Sequence, residues 1–399
     1  MWASDQSNNT AFCNFSVFVT RHVENTGHMS FPIYALVMIL VAAVVIILLL
    51  LVYIAKKQWP YVPVDGSDRE FEDYLQEHLP KAALAWNVES KALKILDEEL
   101  IGEGEYGRVY KARLALSGKE QIVAAKTLRE TLSDAISRKT FINEVRCLLE
   151  LAPHPNIISV RGIQITGDPK YILTEYASNG DLKNYLISLR NQLLNTETET
   201  RLIEVARDVA NALSFMSGKG VMHRDIAARN VFLTNDFIAK IGDFGLGRDV
   251  YERVESDYHS VSLAHHHDRL PLRWMPPEFL IDGTFTLEGD IWSYGILLWE
   301  ISSLGDFPMT DVQVENLLED LQNGKRPVKP EGCTTIAYQI MKSCWHEDRR
   351  ERRTAEQLMA DFDDMLRTPA NRSERFFTED FKERHSNELN NDKSYELPV

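Results

Sequence analysis

The residues best suited to chemistry lie in two short segments beyond the middle of the 399-residue chain. Residues 223–230 have the sequence HRDIAARN, and residues 243–245 have the sequence DFG. The carboxylate of Asp225 can accept or orient the proton of an attacking hydroxyl group. Asn230 and Asp243 carry oxygens of the type that binds Mg²⁺ beside substrate phosphates. These residue types predict phosphoryl transfer, which needs an oriented nucleophile, a metal ion and positioned phosphates.

A glycine-rich segment, GEGEYGRV, precedes these residues in the chain. Glycines allow a backbone to approach phosphates closely, and the ones concerned are Gly102, Gly104 and Gly107. The same pattern occurs in dinucleotide sites, where a helix opens at the motif. Here residues 109–114 predict a strand instead, beginning at Val109. The segment is therefore interpreted as a hairpin that folds over a nucleotide.

A lysine and an acid follow the glycine segment in the expected order. Lys126 ends the strand-like sequence VAAK, and a lysine on a strand can hold the α- and β-phosphates. Such a lysine needs an acid to fix its position, and Glu144 on the next helical segment is suitable. Taken alone, each residue is most simply explained as a surface charge. Their order after the glycine segment favours a functional pair.

The elements that must position these residues can be predicted from apolar spacing. Residues 108–114 and 122–128 alternate as strands do. Helical spacing then places four apolar residues on one face, and a second helix follows later in the chain. The first set is Phe141, Val145, Leu148 and Leu149, and the second is Leu202, Val205, Val209 and Leu213. We therefore expect an α+β fold with a strand-rich small lobe followed by a helix-rich large lobe.

Residues 94–368 resemble protein kinases, specifically receptor-type tyrosine kinases. The resemblance implies a bilobal kinase fold, β-rich in the N-lobe and α-rich in the C-lobe, with ATP and Mg²⁺ (or Mn²⁺) in the cleft between them. It places Thr174 at the back of the adenine pocket and the hinge near residues 175–177. The implied ATP-binding set is Gly102, Gly104, Gly107, Val109, Ala124, Lys126, Thr174, Glu175 and Ala177. The implied catalytic set is Asp225, Arg229, Lys126 and Glu144, with Asn230 and Asp243 as metal ligands.

Two features favour tyrosine over serine or threonine as the acceptor. Serine/threonine kinases typically carry Lys two residues after the catalytic Asp, whereas this chain has Ala227 there and Arg229 further on. Residues 271–275, PLRWM, resemble the substrate platform of tyrosine kinases. The resemblance further implies that Asp290 braces the catalytic loop and that Glu278 pairs with Arg352. Departures from the family pattern are Gly247, Pro276 and Arg353, and Pro276 leaves the peptide preference open.

An unbroken apolar run predicts one transmembrane helix over residues 33–55, because about 20 apolar residues span a bilayer. Lys56 and Lys57 follow this run, so the positive-inside rule places the kinase region in the cytoplasm. Residues 1–32 then form a short extracellular segment with glycosylation sequons at Asn8 and Asn14. We expect a single-pass protein of the plasma membrane. Cys13 could form an intermolecular disulfide or stay a free or modified thiol.

The flanks of the kinase region are predicted to be a linker on one side and a disordered tail on the other. Residues 56–93 are mixed and polar, as in a juxtamembrane linker. Residues 369–399 are charged and poor in apolar residues, which indicates a disordered tail. Within the tail, Tyr395 begins a sequence that is either a phosphotyrosine docking site for adaptor proteins or a chance match.

Regulation is expected at tyrosines between the DFG sequence and Glu278. Tyr258 and Tyr251 resemble autophosphorylation sites, and a phosphate there would add negative charge able to pair with arginines. The histidines at 265–267 are interpreted as part of a solvated insertion rather than a metal site. The expected partners are protein tyrosine substrates, the lipid bilayer, and a second copy of the chain or a co-receptor. The net charge of −15 argues against nucleic-acid binding, which needs a basic face.

Two other functions compete with an active kinase. One is a binding scaffold that has a kinase fold without catalysis. Such proteins usually lack the strand Lys, the loop Asp or the metal-binding Asp, whereas this chain has all three, as Lys126, Asp225 and Asp243. The other is a receptor whose main work is ligand binding outside the cell. An outer segment of about 30 residues is shorter than the roughly 40 that usually fold alone, so it is not expected to form a ligand-binding domain by itself.

Overall fold

The computed structural model describes residues 68–104, 107–116, 118–128, 135–167, 169–246, 248–249, 271–367 and 375–393. The chain separates into one unit of residues 1–65 and a second of residues 66–399, and every described residue belongs to the second. The predicted extracellular segment and the predicted membrane helix over residues 33–55 lie outside the described residues. Within the part of the chain that the structure describes, no helix is both long and apolar enough to cross a membrane.

The small lobe is built on a five-stranded antiparallel sheet with the strand order β1-β2-β3-β5-β4. The predicted strands at 108–114 and 122–128 are confirmed. One helix, α3, packs beside the sheet. The bounds are β1 Leu93–Gly104, β2 Gly107–Leu116, β3 Lys119–Leu128, α3 Ala135–Leu151, β4 Val160–Gln164 and β5 Tyr171–Glu175.

Period-two burial explains why these segments form a sheet with one apolar face. On β2, Ala112 and Leu114 are buried, while Arg113 between them and Ala115 after them are exposed. On β3, Val123 and Ala125 alternate in the same way, because successive strand side chains point to opposite faces. The predicted helical stripe on α3 is confirmed: Phe141, Val145 and Leu148 are buried, and Leu149 is half-buried.

The large lobe is mainly helical, as predicted. Its longest helix begins at the cap residue Asn195, whose side chain accepts a hydrogen bond from Thr198 N, and ends at Gly220. Gly220 has φ 71°, a left-handed conformation that favours glycine. The helices are α4 Leu182–Leu189, α5 Thr196–Lys219, α6 Pro277–Asp282, α7 Leu287–Ser302, α8 Leu317–Gln322, α9 Thr335–Cys344, α10 Ala355–Arg367 and α11 Glu379–Lys393. The predicted stripe on α5 is buried at all four positions, Leu202, Val205, Val209 and Leu213.

Short strands and 3₁₀ turns of the large lobe hold the residues of chemical interest. Strand β6 Val221–Met222 pairs with β9 Arg248–Asp249, and β7 Val231–Leu233 pairs with β8 Ala239–Ile241. The loop 223–230 lies between β6 and β7, and the DFG segment follows β8 directly. Because both segments leave neighbouring short strands, they lie close together.

Residues 68–84, before the kinase region, pack as part of the fold, so this part of the predicted linker over residues 56–93 is helical. Residues 68–78 form helix α1 (Asp68–His78), and Lys81–Leu84 forms α2. Leu75, Leu79 and Ala83 are buried in the main hydrophobic core, together with residues of α3. The polar composition that suggested a linker belongs to the outer face of an amphipathic helix. Its few apolar residues have helical spacing.

Among the described residues after the kinase region, 375–393, several are packed, so the predicted disordered tail over residues 369–399 is wrong for this part. Phe376 and Phe377 are each 1% exposed. The buried carboxylate of Glu199 accepts hydrogen bonds from Phe377 N at 2.9 Å and from Lys382 Nζ at 3.1 Å. The low overall apolar content concealed a few aromatic residues that bury large areas.

Candidate active site

A three-residue charge cluster lies at the boundary between the lobes. The Lys126 ammonium donates to both carboxylate oxygens of Glu144, at 3.0 and 2.9 Å, and to Oδ1 of Asp243 at 2.6 Å. Lys126 is on β3, Glu144 on α3, and Asp243 follows β8. The two acids come from separate lobes, so this one cation links the small lobe to the large lobe.

The cluster favours the charged forms of its cation and of the cleft-facing acid. Burial opposes ionisation of Lys126, but the nearby carboxylates of Asp243 and Glu144 raise the pKa of that ammonium. Burial likewise opposes ionisation of Asp243, yet the Lys126 charge and its hydrogen bond hold the pKa of Asp243 below its usual range. The Asp243 side chain is 40% exposed, so this carboxylate is both ionised and accessible.

The backbone at Asp243 is held in an uncommon conformation by its neighbour. Asp243 has φ 62°, in the left-handed region that non-glycine residues rarely occupy. The adjoining Phe244 ring is fully buried and lies 4.8 Å from the ring of His223. His223 Nε2 is 3.0 Å from the carbonyl oxygen of Gly242. Burial of Phe244 therefore fixes the direction in which the Asp243 carboxylate points.

Asp225 lies between two hydrogen-bond donors from its own loop. Arg229 Nη2 donates to Asp225 Oδ1, and Asn230 Nδ2 donates to Asp225 Oδ2 at 2.7 Å. Asn230 Nδ2 also donates to the backbone carbonyl of Asp225 at 2.8 Å. These contacts orient the Asp225 carboxylate. They also identify the amide oxygen of Asn230 as the atom that could bind a cation.

The catalytic loop is braced from below by Asp290 on α7, as the sequence predicts. Its two carboxylate oxygens accept hydrogen bonds from His223 N at 2.7 Å and Arg224 N at 2.8 Å. Arg224 has φ 71°, so these hydrogen bonds hold a conformation that is unfavourable by itself. Burial raises the pKa of Asp290, against the effect of His223 and the two amide donors.

The glycine segment forms a hairpin and does not open a helix, in agreement with the interpretation from sequence. Gly102 pairs with Val109 and Gly104 with Gly107 across strands β1 and β2. Residues 105–106, at the tip of this hairpin, lie outside the described residues. The hairpin edge continues into β3 and reaches Lys126, which pairs with Val109. The predicted phosphate-contacting residues thus belong to one continuous sheet.

At the predicted hinge, both the side chain and the backbone N–H of Glu175 have partners within the protein. Thr174 on β5 pairs with Ala124 on β3, and the strand ends at Glu175. The Glu175 carboxylate faces the large lobe, where Lys240 Nζ lies 2.9 Å from it and Ser159 N donates to it at 2.8 Å. Glu175 therefore has a structural use for its side chain. Its backbone N–H is also used, because it donates to Ser159 O at 2.9 Å.

The predicted substrate platform is a 3₁₀ turn, Leu272–Trp274, that contacts the catalytic loop. The Trp274 ring lies 4.8 Å from the Arg229 guanidinium, a cation–π distance. Trp274 Nε1 donates at 3.0 Å to Glu300, and Ala228 N donates to the same carboxylate oxygen at 2.9 Å. Sequence reasoning missed Glu300. Its signal was a lone acid within the apolar run of residues 291–301.

One more predicted contact, the pair of Glu278 with Arg352, is confirmed by the structure, while other predicted sites lie outside the described residues. Arg352 donates to both oxygens of Glu278, at 2.7 and 2.8 Å, as predicted. Pro276 caps helix α6, and a Cβ added at Gly289 would lie 3.3 Å from its ring. The predicted sites that lie outside the described residues are Asn8, Asn14, Tyr251 and Tyr258.

The cleft residues fit a magnesium ion held with phosphates better than an ion held by protein alone. No cluster of three or more acidic, histidine or cysteine side chains suitable for a metal occurs among the residues with described positions. Mg²⁺ is commonly bound by one or two carboxylates together with substrate phosphates and water. The accessible, ionised Asp243 and the amide oxygen of Asn230 meet that requirement.

Comparisons with known proteins agree with this geometry. Residues 95–362 match the family described as protein tyrosine and serine/threonine kinases. The tyrosine kinase receptor Cad96Ca of Drosophila melanogaster is 33% identical over 299 residues, which is 71% of this chain and 37% of that protein. Ephrin type-B receptor 1 of Gallus gallus is 34% identical over 68% of this chain and 27% of that protein. Ephrin type-A receptor 5 of Gallus gallus is 31% identical over 78% of this chain. The chain spans about a third of the length of these relatives.

Proposed function

The chain belongs to the family of protein tyrosine and serine/threonine kinases, and we propose that it transfers the γ-phosphate of ATP to tyrosine side chains of proteins. The observation that carries the proposal is the cluster of Lys126 with Glu144 and Asp243. Lys126 contacts both acids at once, and Asp225 is oriented by its own loop. Family members generally need these groups in place together for phosphoryl transfer.

Each residue of the cleft then has a stated task. The hairpin glycines allow the backbone to approach the phosphates, and Lys126, fixed by Glu144, holds them by charge. Asp225 accepts the proton of the tyrosine hydroxyl, while Arg229 keeps the carboxylate oriented. Asp243 and Asn230 would hold Mg²⁺ or Mn²⁺. When bound, the metal ion neutralises charge on the phosphates.

The choice of tyrosine rests on the loop and the platform. Ala227 has no charged side chain where serine/threonine kinases typically carry Lys, and Arg229 stands further along the loop. The Trp274 ring lies 4.8 Å from the guanidinium of Arg229, and the Asp225 side chain beside Arg229 is only 18% exposed. A phenolic side chain is long enough to reach a recessed carboxylate, whereas a serine side chain is not. The relatives named as tyrosine kinase receptors support this choice.

The proposal includes a receptor-type topology in the plasma membrane. The apolar residues 33–55 would cross the bilayer once, with Asn8 and Asn14 outside as glycan acceptors and the kinase domain in the cytoplasm. Activation would follow association with a second copy or a co-receptor, through autophosphorylation of Tyr258 and Tyr251 in trans. Phosphotyrosine-binding adaptors would then be recruited. The apolar run in the sequence and the receptors among the relatives support this topology.

The first test is phosphorylation of a Glu-Tyr peptide polymer by the purified chain with ATP and Mg²⁺. A Ser-containing polymer serves as a second substrate, and Asp225→Asn is the inactive control. We expect phosphotyrosine only, and a decrease of about a hundredfold or more in the control. Phosphoserine of similar yield would contradict tyrosine specificity. A folded wild-type protein without activity, even after incubation with ATP, would favour a binding scaffold.

A further inference from the structure

We propose that Glu300 is a positioning residue that ties the catalytic loop to the substrate platform and thereby sets the affinity for the peptide substrate. Glu300 touches neither the phosphate-binding residues nor Asp225, so it would act through Ala228 and Trp274. The inference rests on the proposed tyrosine kinase function and identifies how that site holds its acceptor.

The geometry places one carboxylate oxygen between two segments that are distant in sequence. Glu300 lies near the end of α7 and is 0% exposed. Its Oε2 accepts a hydrogen bond from Ala228 N at 2.9 Å and another from Trp274 Nε1 at 3.0 Å. Both donors are buried as well. A single atom of α7 therefore fixes the distance between the loop and the platform.

These contacts connect Glu300 to the catalytic Asp225 by way of Arg229 and Trp274. Ala228 precedes Arg229, whose guanidinium contacts Asp225 and lies 4.8 Å from the Trp274 ring. Trp274 in turn donates to Glu300, which accepts from Ala228. If Glu300 no longer accepts these hydrogen bonds, Ala228 N and the Trp274 indole lose their common acceptor. The Arg229 side chain between them would then lose its fixed position.

The energetics argue that this acid is not retained for stability. Its second oxygen, Oε1, is buried and has no hydrogen-bond partner among the described residues. Burial raises the pKa of Glu300, although the Trp274 and Ala228 hydrogen bonds and the Arg229 and Lys183 charges oppose it. Its neighbours on α7, including Leu297 and Ile301, are apolar and buried. A buried carboxylate with one unsatisfied oxygen carries a desolvation cost that its two hydrogen bonds offset only in part, so a positional role explains the acid better.

The platform continues from Trp274 to an exposed aromatic and basic surface of the large lobe. The Trp274 ring meets the Phe307 ring edge-on at 5.2 Å, and Phe307 is 49% exposed. Lys183 and Arg273 lie over the Phe307 ring at 5.8 and 5.6 Å. This aromatic and basic wall extends from the buried carboxylate to the surface. A shift of Trp274 would therefore move this wall without moving Lys126 or its acids.

The test measures KM for the Glu-Tyr polymer and KM for ATP separately, on the purified full-length chain. Glu300→Leu leaves both donors without an acceptor, and we expect the peptide KM to rise about tenfold while the ATP KM changes less than about twofold. Glu300→Gln keeps one acceptor oxygen, so about a threefold rise is expected. Glu199→Gln is the matched control, because Glu199 is also an entirely buried acid on a large-lobe helix but contacts Lys382. It should change thermal stability and leave both KM values unchanged.

A second variant keeps the inference testable if Glu300→Leu does not fold. Trp274→Phe removes the indole N–H and keeps an aromatic ring. It should raise the peptide KM on its own and add little to Glu300→Gln in the double variant, because both break the same contact. Equal changes in both KM values, or an unchanged peptide KM in folded variants, would overturn the inference. If the wild-type chain itself fails to phosphorylate tyrosine, the proposed function fails instead.

Discussion

Two sets of acids in this kinase differ in where they lie and in the groups that they contact. The cleft acids contact side-chain cations next to the space between the lobes, and they are Glu144, Asp225 and Asp243. The floor acids lie under the catalytic loop and the platform, and they are Glu278, Asp290 and Glu300. Two of the floor acids accept from backbone amides, and the third pairs with an arginine whose side chain is 0% exposed.

Asp243 differs from two of the floor acids in the direction of its pKa shift, whereas burial raises the pKa of Glu144 in the cleft as well. Asp243 in the cleft has a lowered pKa because the attraction of Lys126 outweighs burial. Asp290 and Glu300 in the floor have raised pKa values because burial outweighs their donors. Asp243, whose side chain is 40% exposed, can therefore exchange its partner for a ligand group in water. Asp290 and Glu300 have no such alternative, because their donors belong to the fixed backbone or a buried ring.

The largest expected effect separates activity from stability at a cleft acid. Asp243→Asn should reduce kcat about a thousandfold, since it removes the charge that would hold the metal ion beside the phosphates. The free energy of unfolding should change by less than about 1 kcal/mol, because the side chain is 40% exposed. Peptide kinetics and urea unfolding of the same preparation measure both. A stability loss as large as that of a floor variant would erase the contrast between the two sets.

The next-largest effect is expected at the ion pair of Glu278 and Arg352, where stability should change much more than activity. Glu278→Gln should lower the free energy of unfolding by roughly 3–5 kcal/mol, because it leaves the buried Arg352 charge without its partner. The kcat of the folded fraction should stay within about threefold of the wild-type value. Arg353→Ala is the matched control. Its pair with Asp361 is 40% exposed at the arginine, so its loss should be no more than about 1 kcal/mol.

A smaller effect tests whether residues 68–84, before the kinase region, contribute to the folded domain. Leu75→Ala removes a side chain that is 0% exposed and should cost roughly 2–5 kcal/mol of stability, mostly through the cavity left beside α3. Leu84→Ala on the neighbouring helix α2 is the control, because Leu84 is 37% exposed. Thermal melting of both variants provides the comparison. Equal melting temperatures would mean that residues 68–84 do not contribute to the folded domain.

The smallest effect is in the pH dependence of stability. The lowered pKa of Asp243 stabilises the fold above the ordinary Asp value of 3.8, and this contribution is lost as the pH falls below it. The raised pKa of Asp290 has the opposite sign, so its contribution is complete at low pH and is lost as the pH rises above 3.8. Urea unfolding from about pH 3 to about pH 6 should therefore show the wild-type advantage over Asp243→Asn growing with pH. The advantage over Asp290→Asn should shrink instead, and slopes of the same sign would contradict this account.

The amino-acid sequence determined the chemistry because the chemical groups occur in short, ordered segments. The loop 223–230, the DFG segment and the pair of Lys126 and Glu144 could be identified without coordinates. So could the strands at 108–114 and 122–128 and the buried stripes on α3 and α5, because their apolar periods are local properties. Two structural partners, Asp290 for the loop and Arg352 for Glu278, followed from the family resemblance.

Only the tertiary structure decided the contacts that join distant segments. The buried residues of 68–84, and Lys382, which pairs with Glu199 of α5, lie in flanks whose composition is polar. Composition averages do not show which few side chains are buried. Glu300 lies in an apolar helix where nothing local indicates its donors. Its partners Ala228 and Trp274 meet only when the loop and the platform pack on α7. Local spacing determines which face of an element is apolar, whereas packing determines which atoms meet across it.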